Sequence, residues 1–141
     1  MKVTNEFLKA VMPQSTEANR LKYIDYFNIY MPKFGIVTDD QIASFLANVG
    51  HESQQLLYAK EIASGKAYEG RKDLGNIYAG DGVRFKGRGL IQITGRANYT
   101  QISKDLGEDF VKNPELLETL KYAVMSACWF FKKNVIDKNI V

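Results

Sequence analysis

The chain has one cysteine and one histidine in 141 residues. A single cysteine excludes an internal disulfide, and one cysteine with one histidine leaves a zinc site little but carboxylates to use. Cys128 stands in the apolar run "AVMSACWFF", which reads as a buried, inert thiol rather than a nucleophile. No apolar run approaches the roughly 18 to 20 residues of a membrane span. The opening "MKVTNEFLKAVMPQS" lacks the long apolar core of a signal peptide. The chain is therefore expected to be made in the cytoplasm and to reach any external target only after release. The excess of one charge over the other is also small: the net charge is +3 and the pI about 8.9. The densest basic cluster is "FKGRG", and the basic residues do not gather with aromatics on one patch, so no nucleic-acid partner is expected. A weakly cationic surface also suits an anionic polymer.

What is present fits one soluble domain. Apolar residues make up 45% and charged residues 25% of the chain, enough for a sizeable core. Helical spacing dominates. Phe7, Leu8, Val11 and Met12 form a stripe that Pro13 closes, and Leu21, Ile24 and Phe27 recur over residues 16–30. The clearest helix opens at "TDDQIASFLANVG", where Thr38 and Gln41 read as a capping box, and Asp39 and Asp40 favour the positive end of its dipole. Ile42, Phe45, Leu46 and Val49 are its predicted buried face. Residues 64–89 hold seven glycines and read as loop with a short hairpin. "GLIQIT" alternates like a brief strand. Helix returns at "RANYTQISKDLG", with Gly107 as its stop. A last helix begins at Asn113 as N-cap with Pro114 at the first helical position. The fold is expected to be mainly α with a long irregular middle, and an irregular stretch of that length inside a compact domain is usually functional.

Three kinds of chemistry fail on residue type. "HESQQ" begins like H-E-x-x-H, but Gln55 stands where the second histidine should be. "GDGVRFKGRGL" lacks the G-K-[ST] ending of a phosphate loop, and "GRGLIQ" lacks the third glycine of the dinucleotide fingerprint. No G-x-S-x-G elbow is present. The carboxylates Glu52 and Glu61 remain. On one unbroken helix their nine-residue spacing would turn them about 900° and about 13 Å apart, on opposite sides. If they cooperate, the helix must end soon after Glu52, and Gly50 followed by polar "SQQ" makes an early end reasonable. Two carboxyls about 6.5 to 9.5 Å apart match an inverting glycoside hydrolase, with room for a water. On spacing alone, two ordinary surface glutamates are the competing reading.

"HES" closing an apolar helix, then Glu61, "YEGRKDLGN", "YAGDGVRFKGRGLIQITGRANY" and "NPELL" resemble the family 19 chitinase and endolysin group across residues 42 to 131. The shorter, cytoplasmically made members of that group are similar to phage lysozymes that cut peptidoglycan. The resemblance implies a lysozyme-like, bilobal α-rich domain with its cleft between the lobes. It implies a single catalytic domain over residues 1–141, with the family's C-terminal segment missing, and a monomer that needs no cofactor and no metal.

The resemblance also assigns roles. Glu52 matches the general acid, which needs partial burial to stay protonated. Glu61 matches the general base that activates water, and Thr94 the hydroxyl that holds this water. Gln92 and Asn98 match amides that hydrogen-bond the sugar. His51 matches the histidine beside the acid, as a support that orients the cleft. Tyr58 and Tyr99 offer faces for sugar stacking, against a competing role in core packing. Arg88 is expected to hold the loop and a neighbouring carboxylate, with Gly87 and Gly89 letting the backbone turn closely. The implied activity is hydrolysis of the β-1,4 bonds of peptidoglycan with inversion. The alternatives are a chitinase of the same mechanism and a truncated relative that binds glycan without cutting it.

Overall fold

The computed structural model describes residues 2–141. Among them six α-helices succeed one another: α1 (Asn5–Val11), α2 (Glu17–Lys33), α3 (Asp39–Glu52), α4 (Asp81–Arg84), α5 (Arg96–Leu106) and α6 (Leu120–Phe131). Residues 53–80 hold only two short 3₁₀ turns, Lys66–Tyr68 and Lys72–Leu74. The mainly helical fold with an irregular middle is the one expected. No helix among the described residues is long and apolar enough to cross a membrane.

Local chemistry sets the helix starts. Thr4, Thr16 and Thr38 each accept a hydrogen bond from the backbone N–H three residues on, and Thr38 with Gln41 completes the capping box. Gly107, at φ 70°, ends α5.

Two apolar clusters form the two lobes. The first gathers α1, α2, α3 and the core face of α6, including Phe27, Phe45 and Phe131. Phe45 meets Phe131 edge-on with ring centres 5.4 Å apart. Each such buried side chain contributes about 1.5 to 3 kcal/mol over its exposed state. The second cluster gathers Phe85, Ile93, Tyr99, Ile102, Phe110, Leu117 and Trp129. Helix α6 serves both, since Cys128 packs in the first and Trp129 in the second. Burial pushes the Cys128 thiol well above its usual value, as an inert thiol requires.

Four local expectations are corrected. Leu21 is 53% exposed, and the buried face of α2 is instead Arg20, Tyr23, Phe27 and Met31. Arg20 is tolerated there because its guanidinium donates to Asn5 Oδ1 at 2.7 Å and to the Ser15 carbonyl at 2.6 Å. "GLIQIT" is not a strand. Gln92 sits at φ 59°, so the chain turns, and the expected hairpin shrinks to one bridged pair in which Arg88 and Ile93 exchange N–H···O bonds of 3.0 and 2.7 Å. The last helix is split: Pro114–Glu118 is a 3₁₀ turn, Thr119 is extended (φ −70°, ψ 155°), and only then does α6 begin. Asn113 precedes that turn without a side-chain cap bond.

Candidate active site

Glu52 is the last residue of α3. Gly50 does not end the helix. It lies inside it, where a Cβ would stand 3.0 Å from Cγ of Met12, so its role is close packing against α1. The stop is made by Ser53. Its buried hydroxyl donates to the Val49 carbonyl at 2.6 Å and accepts the Leu56 N–H at 2.9 Å. Gln54, Gln55 and Leu56 then run at φ 50°, 58° and 69°, three successive left-handed residues without a glycine. The Tyr58 N–H closes back on the Ser53 carbonyl at 3.0 Å. The chain is thus thrown back across the end of α3, and Glu61 returns to it.

Residues 59–61 are fastened to the glycine-rich segment. The Glu61 N–H donates to the Gly87 carbonyl at 2.9 Å and the Gly89 N–H to the Ala59 carbonyl at 2.8 Å, with Lys60 and Arg88 bridged between them. The Glu61 carboxylate is held at both oxygens: the Gly87 N–H donates to Oε1 at 2.7 Å, and the Tyr68 hydroxyl to Oε2 at 3.1 Å. The Tyr68 hydroxyl is pushed above the usual tyrosine value, by burial first and then by its bond to Glu61. A carboxylate gripped in this way presents its remaining lone pairs in a fixed direction.

Glu52 and Glu61 line one open hollow of about 280 Å³, with Gln54, Tyr58, Lys60 and Gln92 on its walls. A second hollow of about 210 Å³ shares Glu52 and Gln92 and is otherwise walled by Asn48, Ile91 and the end of α6, including Phe130 and Phe131. The two together form a groove with Glu52 and Gln92 common to both parts. Thr94 lines neither hollow; it is half-buried, its hydroxyl donates to the Gln92 carbonyl at 3.2 Å, and it is so near Gly87 that a Cβ there would stand 3.3 Å from Thr94 Oγ1 and would overlap the Gln92 carboxamide.

Arg88 takes the place expected for it. Its guanidinium donates to Glu118 Oε2 at 2.8 Å, to the Arg84 carbonyl at 2.6 Å and to the Tyr99 hydroxyl at 3.1 Å. Gly89, at φ 87°, packs its α-carbon so closely on α6 that a Cβ would overlap Ser126 Oγ.

Three expected site residues stand elsewhere. Tyr99 has no exposure at all; its ring packs 5.0 Å from that of Phe85, and desolvation pushes its hydroxyl far above the usual value. It is a core residue, not a face for sugar. His51 is exposed and lines a separate hollow of about 520 Å³ with Gln14, Asn19 and Gln54, so it does not lie beneath the carboxylates as a support. Asn98 lines neither part of the groove, and its amide donates to the Thr94 carbonyl at 2.8 Å. Glu52 is in its expected place but exposed, so the burial expected of the acid is not supplied by the protein alone.

Four residues of this site went unread in the sequence: Ser53, Lys60, Tyr68 and Glu118. Ser53 had a local signal, a hydroxyl directly after the last helical residue. Tyr68 and Glu118 are joined to the site by contacts that only the folded chain reveals. Behind them, Asp81 is buried and bound by Arg96 through two bonds of 2.8 Å, and the Arg96 guanidinium lies 4.6 Å from the Tyr78 ring centre. Hydrogen bonding from Arg96 holds the Asp81 carboxyl below its usual value.

A two-lobed helical domain with two carboxyls opening on one groove defines the lysozyme-like class of α-rich domains. Within that class the chain belongs to glycoside hydrolase family 19: the family model described as chitinase class I matches residues 30–139. The chain is 34% identical over 131 aligned residues to a glycosyl hydrolase family 19 domain-containing protein of Haemophilus influenzae, covering 71% of this chain and 65% of that protein. It is 35% identical over 102 residues to an endochitinase of Arabidopsis thaliana, covering 72% of this chain and 35% of the relative. The crystal structure of chitinase C from Streptomyces griseus matches with a TM-score of 0.70 at 27% identity, over 92% of this chain and 65% of the other. The chain thus spans less than two thirds of the length of these relatives.

Proposed function

We propose that this chain is an inverting glycoside hydrolase that cuts the β-1,4 bonds of bacterial peptidoglycan, acting on the wall after release from the cytoplasm. The observation that carries the reading is the single hollow lined by Glu52 and Glu61, with Glu61 fixed at both oxygens. Glu61 is the base: its grip by Gly87 and Tyr68 leaves it an acceptor for one proton of the attacking water. Thr94 lies close to Gly87, whose N–H holds Glu61, and offers a hydroxyl that both donates and accepts. Glu52 is the acid. A glycan laid in the groove displaces water from its carboxyl, which favours the neutral, proton-donating form. Gln92, shared by both parts of the groove, offers an amide to the N-acetyl group. Tyr58 borders the hollow and offers its ring to a sugar face.

Chitin is the second reading, favoured by the endochitinase and chitinase descriptions of the relatives. Incubation with purified peptidoglycan and with chitin oligomers, followed by assay of new reducing ends, separates the two. Release from peptidoglycan is expected; release from chitin alone would replace the substrate. Proton NMR of the first product is expected to show the inverted anomer, and a retained anomer would refute the roles given to Glu52 and Glu61.

A further inference from the structure

The positive surplus of the chain lies in the segment that carries one wall of its groove, although Lys60 is the one cation of that segment that lines it. Residues 60–96 hold eight of the nineteen cationic side chains and four of the sixteen carboxylates. The rest of the chain is close to balance, with eleven against twelve. All four arginines in this segment are engaged: Arg71 with Asp73, Arg96 with Asp81, Arg88 with Glu118, and Arg84 with the carbonyls of Val111 and Lys112.

Lys60 is different. It lines the same hollow as Glu52 and Glu61. Its side chain is 51% exposed, and its Nζ stands 3.8 Å from Glu118 Oε1. The other oxygen of Glu118 is already bound by Arg88 at 2.8 Å. Two cations therefore share one carboxylate, and the charge of Lys60 keeps no ion-pair partner to itself. A neutral sugar has no use for that charge. A glycan whose sugars carry carboxylates, on the ring substituent or on an attached peptide, does.

We propose that Lys60 is a specificity-determining residue that selects carboxylate-bearing N-acetylated glycans over neutral ones. The inference rests on the reading of this groove as a site for N-acetylated glycan. The attraction is modest at one contact. Two unit charges about 4 Å apart in water gain about 1 kcal/mol, a factor of about five in relative affinity, and salt screens it. The other cations of the segment add a longer-ranged pull on an anionic polymer. A charge that served the glutamates instead, by easing their mutual repulsion, would alter action on every substrate alike.

Two soluble probes with the same backbone separate these roles: carboxymethyl chitin, which is anionic, and glycol chitin, which is neutral. The wild type, Lys60→Gln and Lys60→Arg are compared for kcat/KM on each at low and raised salt, and for retardation in gels containing each polymer. The ratio of anionic to neutral kcat/KM is expected to fall about fivefold in Lys60→Gln, to survive in Lys60→Arg, and to shrink with salt in the wild type. The retardation ratio is expected to follow it. An unchanged ratio overturns the proposal, and an equal fall on both probes assigns Lys60 to the glutamates. Retardation without turnover leaves the binding ratio to decide Lys60, while the reducing-end assay on peptidoglycan decides the hydrolase reading. No retardation and no turnover with either probe would overturn the assignment of Lys60.

Discussion

The same substitution, glycine to alanine, is expected to do opposite things at two positions only two residues apart. At Gly89 the added Cβ meets two obstacles. The backbone is at φ 87°, where a side chain costs roughly 1 to 2 kcal/mol. The Cβ also overlaps Oγ of Ser126, a buried side chain on α6 whose hydroxyl is turned to the Ala123 carbonyl. Overpacking of that kind costs roughly 1 to 3 kcal/mol. Gly89→Ala should therefore lose about 2 to 5 kcal/mol, a fall in Tm of roughly 5 to 20 °C for a domain of this size. At Gly87 the φ is ordinary, and the obstacle is the tip of Gln92, an amide that can swing aside into the open groove. Gly87→Ala should keep its Tm within about 2 °C. It should lose activity, because Gln92 is turned out of place and the N–H that holds Glu61 is crowded. Removal of one substrate hydrogen bond is worth about 0.5 to 1.5 kcal/mol, or roughly three- to tenfold in kcat/KM. Calorimetry and rates on the same preparations check both halves. A Gly89→Ala variant that melts with the wild type would refute the packing argument. A Gly87→Ala variant that loses as much stability as Gly89→Ala would refute the division between site and scaffold.

Glu52→Gln should lower the rate about 10²- to 10⁴-fold with its thermal melt nearly unchanged, since the side chain is exposed; a folded variant near the wild-type rate would remove Glu52 from the mechanism. Tyr68→Phe removes one of the two donors to Glu61 and should reduce kcat more than it raises KM, as steady-state kinetics will show; an effect on KM alone would mean that Tyr68 contacts glycan. The Asp81 carboxyl is held below its usual value in the folded chain, so its contribution is complete above the unfolded value of about 3.9 and is lost as the pH falls through the lower folded value. Asp81→Asn should therefore be less stable than the wild type at neutral pH, by roughly 1.5 to 3 kcal/mol for weakened charged hydrogen bonds to the partly exposed Arg96, and the gap in Tm should narrow as the pH is taken below about 4. A gap that stays constant down to strongly acid pH would contradict this.

Much of the scaffold was legible because it is local. The capping box of Thr38 and Gln41 and the stripe of Ile42, Phe45, Leu46 and Val49 need only neighbours along the chain. The requirement that α3 end near Glu52 was also legible, from the geometry that two cooperating carboxyls demand. Its cause was not: the stop belongs to the Ser53 hydroxyl and the three left-handed residues after it, while Gly50 answers to Met12, which lies far back in the chain. The alternation in "GLIQIT" misled for a related reason. Leu90, Ile91 and Ile93 are all buried, and the turn at Gln92 brings that about with no sheet. Tyr99 shows the limit for site residues. An aromatic ring inside a glycan-binding motif reads the same whether it faces sugar or core, and only the packing of Phe85 and Arg88 around it decides.

The left-handed run of Gln54, Gln55 and Leu56 also constrains how this sequence can drift. Glycine at any of the three would relieve backbone strain, and on local energy alone such changes should be common. Yet the side chains there are in use: Leu56 is buried in the first lobe, Gln55 accepts the Gln14 N–H at 2.6 Å, and Gln54 walls the hollow of the two glutamates. At Leu56 a glycine would leave a cavity that costs more than the strain it relieves, and at Gln55 it would cut the tie to α1; at Gln54 it would relieve strain and remove part of the groove wall. Gln54 is therefore a place where selection for stability and selection for the site pull apart, and a change to glycine there should gain stability at the expense of turnover.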